Sequence, residues 1–201
     1  MADPTASSIG STAPGRYGAG GARLVLGELS LAGAWNVQGK SAGSTLVDEV
    51  QATLDVRLPL TPNTMHKSDA IAAFWLGPQS WLLVARGASP RSNVAAARAS
   101  INAAGGALFD VSAGRVAYAV TGAHPAALLS TRCPLDFHAD AFPVATCAQS
   151  LFGHVGALYY RRGAEDYVVM VARSYARDAW HALCVSAAAE GYDVAPTATF
   201  D

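Results

Sequence analysis

Residues 71–86 read Ile71-Ala72-Ala73-Phe74-Trp75-Leu76-Gly77-Pro78-Gln79-Ser80-Trp81-Leu82-Leu83-Val84-Ala85-Arg86, and the fold is decided there. Two apolar runs, Ile71 to Leu76 and Trp81 to Ala85, flank Gly77-Pro78-Gln79-Ser80, which is the signal of a β-hairpin. The exit of this hairpin recurs further along the chain. Leu83-Val84-Ala85-Arg86 is similar to Met170-Val171-Ala172-Arg173, each follows an aromatic residue (Trp81 or Tyr167), and each precedes a candidate helix cap. The recurrence points to an internal repeat.

Working outward, the same order of elements occurs twice. In the first copy Ala34 to Gln38 alternates and ends at Gly39, as a strand does. Ser44 is a candidate cap for a helix through Leu54, whose Leu46, Val50 and Leu54 share one face. Leu58-Pro59-Leu60-Thr61-Pro62-Asn63 reads as a loop, because two close prolines block both helix and ladder. After the hairpin, Ser89 or Ser92 caps a helix carrying Val94, Ala97 and Ile101. Gly105-Gly106 stops it, and Leu108 to Val111 is the last strand. The second copy runs from a strand at Arg115 to Thr121 to a helix opened by Pro125. Cys133-Pro134-Leu135-Asp136 starts a loop, followed by strands at Gln149 to Phe152, Val155 to Tyr160 and Tyr167 to Ala172. Ser174 then caps a helix with Trp180, Leu183, Cys184 and Ala187 on one face, ended by Gly191. Two β-α-β-β-α-β passes predict an α+β protein of two tandem ferredoxin-like halves with antiparallel sheets. The expected organisation is a disordered tail at 1–22, a first half at 23–112 and a second at 113–201, together one compact unit. Leu24 to Leu31 is expected as an edge strand.

Composition excludes several functions. The chain has 201 residues, 14 basic and 15 acidic, and a net charge of -1; its lysines are Lys40 and Lys67. That charge is far too small for tracking phosphates along a nucleic acid. Apolar runs are broken well before the roughly 20 residues a membrane helix needs. Neither a basic n-region nor an apolar h-region opens the chain, and the cysteines are Cys133, Cys147 and Cys184. Reduced thiols in a cytoplasmic protein are therefore expected. Charged residues make up 14%, against roughly 25% in an average domain. Two readings fit: a subunit whose faces are buried by partners, or an alanine-rich chain using Ala where others use Lys or Glu.

Few residues carry chemistry. Cys133, His138, Cys147 and His154 are zinc-ligand types, but they lack the paired short spacings of zinc motifs. Cys133 with His138 has no visible orienting third group for nucleophilic catalysis. Asp110 and Arg115 flank the turn between the halves, as a salt bridge or as a ligand or partner contact; the salt bridge is the commoner outcome. Gly18-Ala19-Gly20-Gly21 follows no strand and so is no dinucleotide loop. No catalytic, cofactor-binding or metal-binding residue is therefore assigned. Trp75, Trp81 and Trp180 are candidate anchors for a partner interface, since aromatic residues dominate such contacts.

Several strings occur together in order. They are Leu60-Thr61-Pro62-Asn63-Thr64, Trp75 to Leu82, Asp110-Val111-Ser112, Arg115 to Gly122, Cys133-Pro134-Leu135-Asp136-Phe137-His138, Ala141-Phe142-Pro143, Cys147-Ala148-Gln149 and Val171-Ala172-Arg173-Ser174. With these, residues 24 to 188 resemble the sarcosine oxidase gamma subunit family, which is related to the folate-binding domain of aminomethyltransferases. The resemblance implies a non-catalytic structural subunit of a heterotetramer that also has alpha, beta and delta subunits. The complex would oxidatively demethylate sarcosine to glycine, pass the one-carbon unit to tetrahydrofolate and produce hydrogen peroxide. FAD, FMN, NAD and tetrahydrofolate would sit on the partner subunits. Where the family often has a second basic residue before Arg115, this chain reads Ser112-Ala113-Gly114. Two alternatives are a free-standing folate-binding or aminomethyltransferase-like protein, and the equivalent subunit of a related N-methyl amino acid oxidase or dehydrogenase.

Overall fold

The structure is a computed structural model that describes residues 12–21, 24–40, 45–87 and 91–201. Its elements in chain order are β1 (Gly15–Tyr17), β2 (Leu24–Ser30), β3 (Ala34–Gly39), α1 (Leu46–Leu54), β4 (Met65–Lys67), β5 (Ile71–Gly77), β6 (Ser80–Ala85), α2 (Arg91–Ala103) and β7 (Gly106–Asp110). They continue with β8 (Arg115–Gly122), α3 (Pro125–Ser130), β9 (Cys147–Phe152), β10 (Val155–Gly163), β11 (Asp166–Ala172), α4 (Ala176–Ala187) and β12 (Tyr192–Val194). The chain divides into two compact units. Among the described residues, one joins those up to Ser30 with Gly114–Ala198; the other joins Leu31–Ala113 with Thr199–Asp201.

The Leu31–Ala113 unit follows from its alternation. Trp35 and Val37 of β3, Ile71 and Ala73 of β5, and Trp81 and Leu83 of β6 point to one face. There they meet Leu46, Val50 and Leu54 of α1 and Val94, Ala97 and Ile101 of α2. The sheet order is β4-β5-β6-β3-β7, antiparallel throughout. The hairpin is β5–β6, with Trp75 opposite Trp81 and an irregularity before Gly77. Gly105, at φ +85°, ends the preceding helical segment, and the strand begins at the next residue. Trp81 is fully buried, and its Nε1–H donates to the Pro59 carbonyl at 2.7 Å, which fixes the proline-rich loop against the sheet.

In the other unit Val116, Tyr118 and Val120 of β8, Val169 and Val171 of β11 and Tyr159 of β10 face Leu128 and Leu129 of α3 and Ala179, Trp180 and Leu183 of α4. The sheet order is β1-β12-β2-β8-β11-β10-β9. The difference from the first unit is β2, which lies between β12 and β8, parallel to one and antiparallel to the other.

Four expectations are corrected. Leu24 to Leu31 is not an edge strand; Leu24, Leu26 and Leu29 are buried in the middle of the sheet. The halves do not divide at 23–112 and 113–201, because β2 pairs with β8 rather than with its sequence neighbour β3. The tail at 1–22 is not all disordered: over residues 12–21 it carries β1, held to β12 by backbone pairing. Ser174 does not cap α4, since a 3-10 turn at Arg173–Tyr175 leads in and Tyr175 occupies the cap position. Of the other cap residues, Ser44 and Ser89 lie outside the described residues, as does the side chain of Ser92. No helix among the described residues is long and apolar enough to cross a membrane.

Trp81→Phe keeps most of the buried ring but leaves the Pro59 carbonyl without its donor. Urea unfolding should show a loss of about 1–3 kcal/mol, the cost of orphaning a buried acceptor. Unchanged stability would mean that the loop is held by packing alone.

Candidate functional site

The residues with chemical potential do not converge. Cys133 is buried among Phe137, Phe142 and Tyr159, and Cys147 opens β9 fully buried. His138 is exposed, its Nδ1 accepting the Asp140 amide at 3.4 Å and standing 3.6 Å from the Asp140 carboxylate. His154 sits in the β9–β10 turn. Cys147 pairs with Tyr160 at one end of that hairpin and Phe152 with Val155 at the other. At about 3.4 Å per residue, the hairpin separates His154 from Cys147 by far more than a coordination sphere. No group of three or more His, Cys, Asp or Glu among the described residues is placed to hold a metal ion.

Cys133 and Cys147 are buried and Cys184 is partly buried. Tyr159 donates its hydroxyl to the Leu151 carbonyl at 2.9 Å. Burial, and then the Cys133 thiol beside it, raises its pKa well above that of a free phenol. Cys184 is half-buried, and burial raises its pKa despite the hydrogen bond from Tyr192. Nucleophilic cysteines need the opposite shift.

At the turn between the halves, Asp110 accepts the Ser112 amide at 2.9 Å, and the Ser112 hydroxyl bonds both the amide and the carbonyl of Ala34. The carboxylate thus closes its own turn. Arg115 starts β8 half-buried, and burial lowers its guanidinium pKa.

The three tryptophans expected as anchors separate. Trp81 is fully buried, and Trp180 is 5% exposed, tilted on Tyr118 with its Nε1 donating to Thr12 Oγ1 at 3.1 Å. Neither has surface to offer a partner, so both are corrected as interface anchors; each packs in its own core. Trp75 is partly exposed at the hairpin.

Sequence reasoning missed Arg161. Its guanidinium is buried over the Tyr167 ring, 5.3 Å from the centroid. It donates to the carbonyls of Phe142 (2.8 Å), Gly163 (3.2 Å) and Ala164 (2.7 Å). One cation thereby ties the loop before β9 to the β10–β11 turn. Carbonyl partners leave no mark in a sequence; the signal available was only an arginine after two tyrosines inside a strand. A cleft of about 280 Å³ opens beside the first turn of α4 between Arg173, Ser174, Arg177 and Asp178. A smaller cavity, lined by Arg132, His154, Asp178 and Ala182, adjoins it through Asp178.

Two predictions follow from this geometry. Ellman titration of the native protein should find at most one thiol, Cys184, reacting slowly at neutral pH, and all three after denaturation. Fast modification of Cys133 would overturn the buried placement. Arg161→Met should cost about 3 kcal/mol or more in urea unfolding, because three carbonyls lose a charge-assisted donor. A loss under about 1 kcal/mol would mean that water replaces the guanidinium.

Comparison with known proteins fits this fold. A search of curated proteins finds no match. Among solved structures, the heterotetrameric sarcosine oxidase from Corynebacterium sp. U-96, in complex with pyrrole 2-carboxylate, superposes with a TM-score of 0.76 at 23% identity, covering 85% of this chain and 86% of that one. The glycine cleavage system aminomethyltransferase T from Bartonella henselae superposes with a TM-score of 0.60 at 14% identity, over 88% of this chain and 48% of that longer one. Both show a shared fold. The sequence itself matches the family described as "Sarcosine oxidase, gamma subunit family" over residues 38–190, which include the Trp75–Trp81 hairpin, the Cys133 loop and α4. The chain belongs to the sarcosine oxidase gamma subunit family.

Proposed function

We propose that this chain is the gamma subunit of a heterotetrameric sarcosine oxidase and contributes structure rather than catalytic groups. The observation that carries the reading is the family match across residues 38–190. The reaction of the complex is then oxidative demethylation of sarcosine to glycine. The one-carbon unit goes to tetrahydrofolate, and oxygen becomes hydrogen peroxide. FAD, FMN, NAD and tetrahydrofolate belong to the partner chains, which are the alpha, beta and delta subunits, and the assembly is cytoplasmic.

The placement of the thiols supports a structural role. Cys133 and Cys147 lie in the core, and Cys133 has a phenol beside it rather than an imidazole. Of the three tryptophans, Trp75 remains the candidate for a partner-facing surface. Leu60 is 57% exposed in the loop that meets the same strand, where the Trp75 amide donates to the Thr64 carbonyl at 3.1 Å. An exposed apolar residue on a loop held this firmly suits a permanent interface, whose buried centre resembles a protein core.

Co-expression of the tagged chain with the large subunits tests both parts. The expected result is a stable complex that produces hydrogen peroxide from sarcosine, with Cys133→Ser turning over within a few-fold of the parent. Failure to co-purify would refute the subunit reading. A loss of about a thousandfold, the scale of a removed nucleophile, would refute the non-catalytic one.

A further inference from the structure

Residues 12–20 precede the family match and are built into the fold in detail. β1 pairs antiparallel with β12, Gly15 opposite Val194, Arg16 opposite Asp193 and Tyr17 opposite Tyr192. Tyr17 stacks on Tyr192 with centroids 5.6 Å apart, and its hydroxyl donates to the Ala13 carbonyl at 2.7 Å. Arg16 Nε lies 3.4 Å from the Asp193 carboxylate. Thr12 accepts the Trp180 indole N–H, and the Ala19 amide donates to the Ala188 carbonyl at 3.1 Å. Backbone then passes backbone with no room for side chains. A Cβ on Gly20 would collide with the Glu190 carbonyl, one on Gly18 with that of Ala188, and one on Gly191 would stand 2.7 Å from the Gly20 carbonyl. Gly21, next in sequence, would meet nothing within 4 Å.

We propose that the side of β12 away from β2 and the residues that follow α4 form a strand-acceptor groove. It takes an extended peptide with an aromatic residue followed by closely spaced glycines, and residues 12–20 fill it in cis. The three parts of the ligand have separate complements. Tyr17 is read by Tyr192, the small residues at 18 and 20 by the tight passage over Ala188 and Glu190, and the strand by β12 hydrogen bonds, the mode of β-augmentation. Filling the groove covers the Tyr192 ring and the indole edge of Trp180. It also occupies backbone groups of β12 that otherwise form an open edge for a second copy of this chain.

The test uses the full chain with Gly20→Ala, against Gly21→Ala as a control that adds the same methyl where it meets nothing. Tryptic cleavage after Arg16 should be about tenfold or more faster in Gly20→Ala than in Gly21→Ala, since cleavage tracks the population of the open arm. A synthetic peptide of residues 12–21 should bind Gly20→Ala, and the same peptide carrying alanine at position 20 should bind at least about tenfold more weakly. Gly20→Ala should also self-associate more with rising concentration, and the unmodified peptide should suppress the difference. Tyr17→Ser, which removes the ring without a clash, should give the same trends if Gly20→Ala fails to fold. Equal cleavage in the two glycine variants, or equal binding of the two peptides, would overturn the groove. Equal self-association in both variants would overturn its role as an edge seal.

Discussion

β2 is hydrogen-bonded along one side to β8 and along the other to β12, and the unit that contains it cannot close without it. Leu24 pairs with both Gly122 and Tyr192, so the middle of the sheet waits for partners from distant parts of the chain. Non-local pairings of this kind bring slow folding, because loop entropy is lost before contacts reward it. The Leu31–Ala113 unit has a different logic. All its strand pairings join strands from that one stretch of chain, and its β5–β6 hairpin is closed by a four-residue turn. β12 also depends on β2. A three-residue strand holds because it has a parallel partner on one side and β1 on the other, with the Ala195 amide continuing onto the Leu26 carbonyl at 2.9 Å.

The hairpins were legible because their information is local. Gly77-Pro78-Gln79-Ser80 between two apolar runs has few alternatives, and the recurrence at Met170-Val171-Ala172-Arg173 carried the second unit. The position of β2 was not legible. An apolar run such as Leu24 to Leu31 states that the residues are buried, but it does not name the neighbours. β4 and β12 are three residues long, too short for alternation to register. The N-terminal glycines misled for a physical reason. Glycine weakens order by entropy, so Gly18-Ala19-Gly20-Gly21 reads as an unstructured tail. Yet only glycine permits the close passage past Ala188 and Glu190. The same composition supports opposite conclusions until the opposing backbone is known.

The candidate site divides along similar lines. Cys133 and His138 are close in sequence, but the side chains part, the thiol inward to Tyr159 and the imidazole outward to Asp140. Spacing in a loop says little about direction. Trp81 and Trp180 were expected at a partner interface because aromatic residues dominate such contacts. Their indole N–H groups instead find oxygen acceptors inside, Pro59 and Thr12, which lets a large ring be buried without an orphaned donor.

Several interior polar groups share one pattern. Arg161 reaches three carbonyls, Trp81 the Pro59 carbonyl, Tyr118 that of Ala176, Tyr159 that of Leu151, and Ser112 both backbone groups of Ala34. Each such bond fixes a segment of backbone to a side chain of the core, so irregular loops become as determined as strands. Active-site chemistry asks for something else: titratable side chains facing one another, with pKa values drawn toward neutrality. In Tyr159, Tyr192 and Cys184 burial is the largest cause of the shift, and it raises the pKa in each case, keeping phenol and thiol neutral at physiological pH. These side chains are therefore suited to holding a shape, and a shape held this firmly can present a loop residue such as Leu60 to a partner with little further ordering cost on association.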